Sequence, residues 1–389
     1  MAEEVVIVSA VRTPIGKFGR SLQGLSAVEL GTIAAQAAVK RSGLAPAMIQ
    51  QTIFGTVLQA GLGQNVARQI ELNAGLPVTS TAMTINQVCG SSLKAIRLGQ
   101  SAILMGDADA VLVGGTESMS NAPFLNNNIR WGQKFGHTSL IDSLAHDGLT
   151  DAFGGETMGM TAENVAEKYH VSRAEQDAFA LRSQQNATQA QLDHRFDAEI
   201  VPVKVGNQTI TADEPVRTTT SADQLAALKP SFKADGTVTA GNAAGLNDGA
   251  AAMVLMRKST ALAAGIPYLA TLGSYQETGI DPAVMGYAPV TAIQSVLAKD
   301  GLTVNDVDCF EVNEAFAAQS VAVTRDLHIP NDRLNVNGGG IALGHPLGAS
   351  GTRIVVTLLH ELIRADLHHG LASMCIGGGM GIALTISRD

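Results

Sequence analysis

Two cysteines and one histidine, far apart in the chain, each sit among small residues in a setting that suits bond-making chemistry. Cys89 lies in TINQVCGSSLKAIRLG, where an alternating apolar-polar strand meets Gly90-Ser91-Ser92 and then a helical pattern. That places its sulfur at a strand-to-helix turn, near unpaired N–H groups and a macrodipole that lower a thiol pKa. The arrangement is similar in kind, not in sequence, to a nucleophile elbow; a small buried thiol is the alternative, since cysteine is commonly buried. His345 is the single imidazole of the glycine-rich loop NGGGIALGHPLGASGTR. A loop so bare lets a bulky molecule approach the backbone, and the imidazole there reads as a general base or as a satisfied loop histidine. Cys375 ends a strand in MCIGGGMG, whose glycines expose N–H groups to an anion or oxyanion; its alternative is a core cysteine. Asn313 follows a strand and opens NEAF (313–316), a place where asparagine is ordinarily a cap or turn former. The third cysteine, Cys309 in DVDCFEV, has no glycine turn and reads as core. An odd cysteine count without CxxC argues against a disulfide framework or a structural zinc site.

The elements that must position these residues form a repeating pattern. Residues 5–9 (VVIVS) and 108–115 (ADAVLVGG) read as buried strands, and 26–43 and 91–105 carry helical spacing of Leu, Ile and Ala. Strands alternating with helices imply crossovers and a largely parallel sheet. From about residue 120 the chain turns polar and Asn-rich around its one tryptophan, Trp131, an excursion outside the sheet. Residues 160–195 are helical, with Ser172 and Glu175 as a capping box. From about 267 the opening pattern returns, with a helix at 350–363 and a final strand segment LASMCIGGGMGIALTIS, so an α/β unit is duplicated.

Size and composition exclude several classes. The 389 residues exceed the roughly 250–300 at which single cores stop growing, so more than one packed unit is expected. A net charge of -9 without a Lys/Arg cluster offers no field for nucleic acid. No stretch approaches the ~18 apolar residues of a membrane span. The acidic start MAEEVVIVSA is unlike a signal peptide, which makes the cytoplasm the expected compartment. Low charge, 16%, leaves less surface to solvate and favours an oligomer. The glycine clusters at 61–69 and 338–344 lack the spacing, strand context and acidic residue of a dinucleotide site.

Four blocks, VCGSS (88–92), NEAF (313–316), GGGIALGHPLGASG (338–351) and CIGGGMG (375–381), resemble the signature blocks of the thiolase family, in that family's order. VRTPIGKFGR, VLVGGTESMS and TAGNAAGLNDGAA are similar too, so the resemblance covers essentially the whole chain. It implies an α/β fold of two βαβαβαββ halves in a five-layered α/β/α/β/α core with an inserted loop domain. The implied division is 1–119 for the first half, 120–244 for the loop domain, 245–268 returning to the first half, and 269–389 for the second.

By the same resemblance, Cys89 is the acylated nucleophile, His345 its base, and Cys375 the second acid/base. An enolate is held by His345 and a water fixed by Asn313, and a tetrahedral intermediate by the N–H groups of Cys89 and Gly377. Arg217, Phe232, Ala244 and Phe316 fall where the family contacts coenzyme A. Met158 and Met285, the latter in MGYAP, resemble the lining that narrows the acyl pocket of two-carbon thiolases. The implied reaction is reversible Claisen condensation of two acetyl-CoA to acetoacetyl-CoA and CoA; the alternative is a degradative thiolase of broader chain length. No metal or redox cofactor is called for, coenzyme A being substrate and product, and a homotetramer built as a dimer of dimers is expected. Two positions depart from many relatives: Ala244 stands for a serine and Thr157 for a histidine.

Overall fold

The structure is a computed structural model that describes residues 3–389; Met1 and Ala2, at the head of the 1–119 half, lie outside it. Nine strands carry the sheet: β1 (Val5–Arg12), β2 (Gln51–Gly55), β3 (Thr81–Ile85), β4 (Ala110–Ser118), β5 (Asn247–Arg257), β6 (Ala270–Gly279), β7 (Cys309–Val312), β8 (His369–Ile376) and β9 (Met380–Ser387). Their spatial order is β7-β8-β9-β6-β1-β5-β4-β2-β3, with Gly16–Lys17 added against β5. In the first half β1, β2, β3 and β4 run one way and β5 alone runs back between β1 and β4. In the second half β6, β7 and β8 share a direction and β9 alone is reversed, between β6 and β8. The parallel sheet expected from the sequence therefore carries one reversed strand in the middle of each half. β1 and β6 join the halves through a short antiparallel pairing at Val6–Thr271 and Ile7–Ala270.

Five principal helices lie on these sheets: α1 (Ala27–Ser42), α2 (Val66–Asn73), α3 (Ser91–Met105), α4 (Pro289–Asp300) and α5 (Ser350–Arg364). α1 packs on the outer face of the first half and α4 on that of the second, while α3 and α5 pack on each other between them. This is a five-layered α/β/α/β/α arrangement. The strands alternate by face as pleating requires: Val111 and Val113 point into the central layer with Leu93, Ile96, Ile354 and Leu358, whereas Ala110 and Leu112 meet α1. Both faces are covered, which explains the unbroken apolar runs of β4 and β5.

Two sequence expectations change in detail. The 160–195 stretch is two helices, Met158–Lys168 and Arg173–Leu192, broken where His170 takes a φ of 52° and restarted by the Ser172–Glu175 capping box. The final apolar segment is two antiparallel strands, because the glycines after Ile376 turn the chain back and Gly378 and Gly379 take positive φ. Cys375 thus lies near the end of the penultimate strand, against Gly381 of the last.

Between β4 and β5 the chain leaves the sheet. This segment includes a small hairpin at Phe124–Leu125 and Ile141–Asp142, the two helices above, and a second hairpin at Val203–Val205 and Gln208–Ile210.

The halves approach most closely where glycine allows it. A Cβ on Gly115 of β4 would stand 2.1 Å from the Gly348 carbonyl oxygen of the His345 loop. Gly115→Ala should therefore destabilise the fold by about 1–3 kcal/mol through overpacking, read as a lower denaturant midpoint; an unchanged midpoint would mean that this approach is not tight.

Candidate active site

Cys89 sits between β3 and α3, on a turn held by its own neighbours. The Asn86 side chain accepts the Val88 N–H at 2.9 Å, and Ser91 Oγ accepts from Gln87 N–H at 2.8 Å while donating to the Val88 carbonyl at 2.6 Å. Val88 is forced to a φ of 47°, a costly conformation for a β-branched residue. The strain falls on the residue before the cysteine, and the turn is an elbow in geometry as well as in pattern.

Burial pushes the Cys89 thiol up to about 11, against the lowering pull of the Gly377 and Cys89 N–H groups, and Glu117 adds to the rise. This corrects the expectation of a helix-lowered pKa: the site is dry, and desolvation of a thiolate outweighs the helix end. Cys375 is buried as well, and its thiol is raised by burial and then by the nearby Cys89. It packs with Met285, Ala315, Met158 and Phe316.

His345 follows a helical turn at Gly340–Leu343, and its N–H donates to Asn247 Oδ1 at 3.0 Å. Its Nδ1 lies 2.6 Å from Ser350 Oγ, and Ser350 donates to the Pro346 carbonyl at 2.9 Å. A carbonyl only accepts, so the serine hydrogen is spent there and Oγ receives Nδ1–H. The lone pair is left on Nε2, which faces the Asn313 amide nitrogen at 3.4 Å. Burial, followed by the Arg353 charge, drops the imidazole to about 3, so it is a neutral acceptor. Asn313 Oδ1 is enclosed, has no partner among the described residues, and points towards Gly340. It is a free acceptor.

Cys89 and His345 share the wall of a narrow cavity of about 60 Å³ with Met158, Ala244, Met285 and Phe316. Met119, Leu149, Leu246 and Leu347 make its remaining surface apolar. Phe232, not itself in the wall, stands edge-on to Phe316 with ring centroids 6.3 Å apart. Arg217 is exposed and outside the cavity wall, its backbone N–H bound to Gln184 Oε1 at 2.8 Å. Among the described residues no group of three His, Cys, Asp or Glu side chains is placed to hold a metal ion, and no helix is long and apolar enough to cross a membrane.

Three supporting residues were not singled out from the sequence: Ser350, Asn247 and Glu117. Glu117 carried a signal, an acid at the end of the apolar run VLVGG, since an acid is rarely buried without a task. An alternating strand interior has room for such a group only where N–H donors converge on it.

A cavity holding a thiol, a neutral imidazole and two converging N–H groups is equipped to accept an acyl group on sulfur and to stabilise an oxyanion. The chain belongs to the thiolase family: the family's N-terminal domain matches residues 5–259 and its C-terminal domain residues 266–388. It is 52% identical to the acetyl-CoA acetyltransferase of Pseudomonas aeruginosa, with both chains covered completely. Among solved structures it resembles the Bacillus anthracis acetyl-CoA acetyltransferase, at 43% identity, a TM-score of 0.96 and 99% of each chain. It also resembles human mitochondrial 3-ketoacyl-CoA thiolase in complex with CoA, at 43% identity and a TM-score of 0.97, over 100% of this chain and 98% of that one.

The site's electrostatics make two checks available. Iodoacetamide should label Cys89 of the free protein at a rate that climbs with pH towards about 11, where an unperturbed thiol levels near ~8.5; levelling at neutral pH would mean a standing thiolate. Nitrogen NMR should show His345 neutral, with the proton on Nδ1, below its ordinary pKa of about 6.5, and Ser350→Ala should erode that preference.

Proposed function

We propose that the protein is an acetyl-CoA C-acetyltransferase, a cytoplasmic enzyme of lipid metabolism that condenses two acetyl-CoA to acetoacetyl-CoA and CoA and runs the reverse thiolysis. The observation that carries this reading is the convergence of Cys89, His345 and the Gly377 N–H on one small apolar cavity with Cys375 against it.

In the first half-reaction Cys89 Sγ attacks the thioester carbonyl and its proton passes to His345 Nε2. The oxyanion is held by the N–H groups of Cys89 and Gly377, each worth roughly 3–4 kcal/mol of barrier. Collapse expels the CoA sulfur, which takes the Cys375 proton. The acetyl-enzyme then holds an imidazolium and a Cys375 thiolate, each compensating the other's charge. In the second half-reaction that thiolate removes the methyl proton of a second acetyl-CoA. The enolate oxygen rests on His345 Nε2–H and a water bound to Asn313 Oδ1, and the carbon attacks the acetyl group. Cys89 leaves and recovers its proton from His345. Phe232, Phe316 and Ala244 line the entry for the pantetheine arm, with Arg217 reaching the nucleotide phosphates.

Met158 and Met285 support the two-carbon reading by keeping the acyl space short. The likeness to human 3-ketoacyl-CoA thiolase supports a broader degradative enzyme as the second reading. The inserted segment 120–244 is proposed as a loop domain over the cavity. Its exposed Phe124, Trp131 and Phe135 are proposed as the contact that joins two dimers into a tetramer.

Incubation with acetyl-CoA should leave an acetyl group on the Cys89 peptide. Cys375→Ala should still acquire it, because a CoA thiolate departs unaided, yet should lose condensation by about 10²–10⁴-fold. An enzyme with no adduct under any condition would refute the scheme. Acetoacetyl-CoA should be cleaved far faster than 3-oxohexanoyl- to 3-oxodecanoyl-CoA; equal rates would favour the degradative reading.

A further inference from the structure

The turn that carries Cys89 is gripped from the other half of the molecule. Glu277, on β6, accepts the Gln87 side-chain amide N–H at 2.7 Å with Oε1 and the Lys94 ammonium at 2.8 Å with Oε2. Gln87 enters the turn two residues before Cys89, and Lys94 lies in the first turn of α3. One carboxylate therefore spans both arms of the elbow, with the strained Val88 between them. Tyr275, on the same face of β6, receives the Lys94 and Arg97 cations over its ring at 5.6 and 5.5 Å, which seats α3 on the strand. Burial raises the Glu277 carboxyl, but the hydrogen bonds from Lys94 and Gln87 outweigh it and hold the group below its ordinary range. Ionised, it can only accept.

The same strand holds the far side of the site. β6 pairs with β9 through Glu277, Thr278 and Gly279, and just past its end the Ile280 N–H donates to the Gly379 carbonyl at 2.7 Å. That carbonyl belongs to the turn that presents the Gly377 N–H to the Cys89 sulfur. Residues 277–280 thus hold the Cys89 elbow on one side and the glycine turn on the other.

We propose that Glu277 is a positioning residue for acyl transfer: it fixes the Cys89 N–H relative to the Gly377 N–H by tying the elbow to the strand that ties down the glycine turn. The inference rests on the thiolase reading and deepens it with a residue outside the cavity wall.

Stability is not what this contact supplies. Lys94 and Glu277 leave 29% and 30% of their side chains exposed, and an ion pair so open to water contributes little. It supplies distance, to which an oxyanion donor is sensitive. Loss of one such donor costs about 10²–10³ in rate, and a misplacement of about 1 Å costs up to about 10².

The test is single-turnover acetylation of the full-length enzyme over a range of acetyl-CoA concentrations, with the thermal midpoint of each variant recorded. Glu277→Leu, close in size but unable to accept a hydrogen bond, should lower the limiting rate about tenfold while leaving the half-saturating concentration within about twofold. Its thermal midpoint should stay near that of the wild type. Glu277→Gln should recover most of the rate, since its oxygen can meet Lys94 and its NH₂ can meet the Gln87 amide turned over. Gln87→Leu should slow acetylation alone and add little in the Glu277→Leu background, where that arm is already released. An unchanged limiting rate in Glu277→Leu would overturn the proposal, as would losses from Glu277→Leu and Gln87→Leu that simply multiply. A change confined to the half-saturating concentration would also overturn it, by making Glu277 a binding residue. Should Glu277→Leu fail to fold, Gln87→Leu and Lys94→Met each release one arm and carry the same expectation. A wild-type enzyme that acquires no acetyl group would instead overturn the thiolase reading, and this inference with it.

Discussion

One enclosed carboxylate holds together the parts on which the site depends. Glu117, at the end of β4, accepts the N–H groups of Val57 at 3.0 Å, Leu58 at 3.1 Å and Gly348 at 2.8 Å, together with the Thr56 hydroxyl at 3.1 Å. Thr56, Val57 and Leu58 follow β2 in the first half, and Gly348 belongs to the His345 loop of the second. Burial raises the Glu117 pKa while these donors pull it down. A carboxylate stripped of water is tolerable only while its donors stay in place, because an unmet buried group costs about 1–3 kcal/mol and more when charged. The interaction is therefore a test of register, satisfied only when the loop bearing His345 is seated against β4, where the missing Cβ of Gly115 leaves room for it.

The same dryness that makes Glu117 demanding sets the state of the reacting groups. Cys89, Cys375 and His345 are all shifted towards neutrality by burial. A standing thiolate–imidazolium pair is therefore disfavoured, and in the proposed scheme the proton of Cys89 moves only as negative charge passes onto a bound thioester. Reactivity is thus coupled to occupancy. The low local dielectric also strengthens the N–H groups aimed at the sulfur, which are fixed in advance by β8 and by the Cys89 turn. In that scheme a low reactivity of the free thiol and the stabilisation of a bound oxyanion have one origin.

The placing of these groups was more legible in the sequence than the wiring. Cys89, His345 and Cys375 stand in glycine-rich contexts that single them out locally, whereas Asn313 read locally as a cap and was singled out by the family resemblance; the structure sets Cys375 near Cys89 and Asn313 beside His345. The alternation of strands and helices and the duplication were legible for the same reason, since periodicity is local. What could not be read was long-range: the reversed middle strand of each half, the hairpin that makes the final segment two strands, and the meeting of Ser350 with His345 Nδ1. The pKa of Cys89 was misjudged because a turn advertises its helix end, while the desolvation that overrides it is contributed by residues from everywhere else in the chain. Arg217 was named through the family resemblance alone, and the structure leaves it exposed, outside the cavity wall.

Duplication gives this arrangement its economy. Each half presents a strand whose end turns through small residues, and the central layer brings those ends to one place, Cys89 from the first half and Cys375 from the second. The reversed strand of each half matters here. β9 lies between β8 and β6, and the Gly377–Gly379 turn joining β8 to β9 turns the Gly377 N–H towards the Cys89 sulfur. Had the chain continued by a parallel crossover after Cys375, a helix would stand where that turn exposes its N–H groups. That placing of the Gly377 N–H is therefore a consequence of a hairpin, and the reversed strand is the feature by which each half departs from a purely parallel α/β sheet, the first half reaching its own through the long insert between β4 and β5.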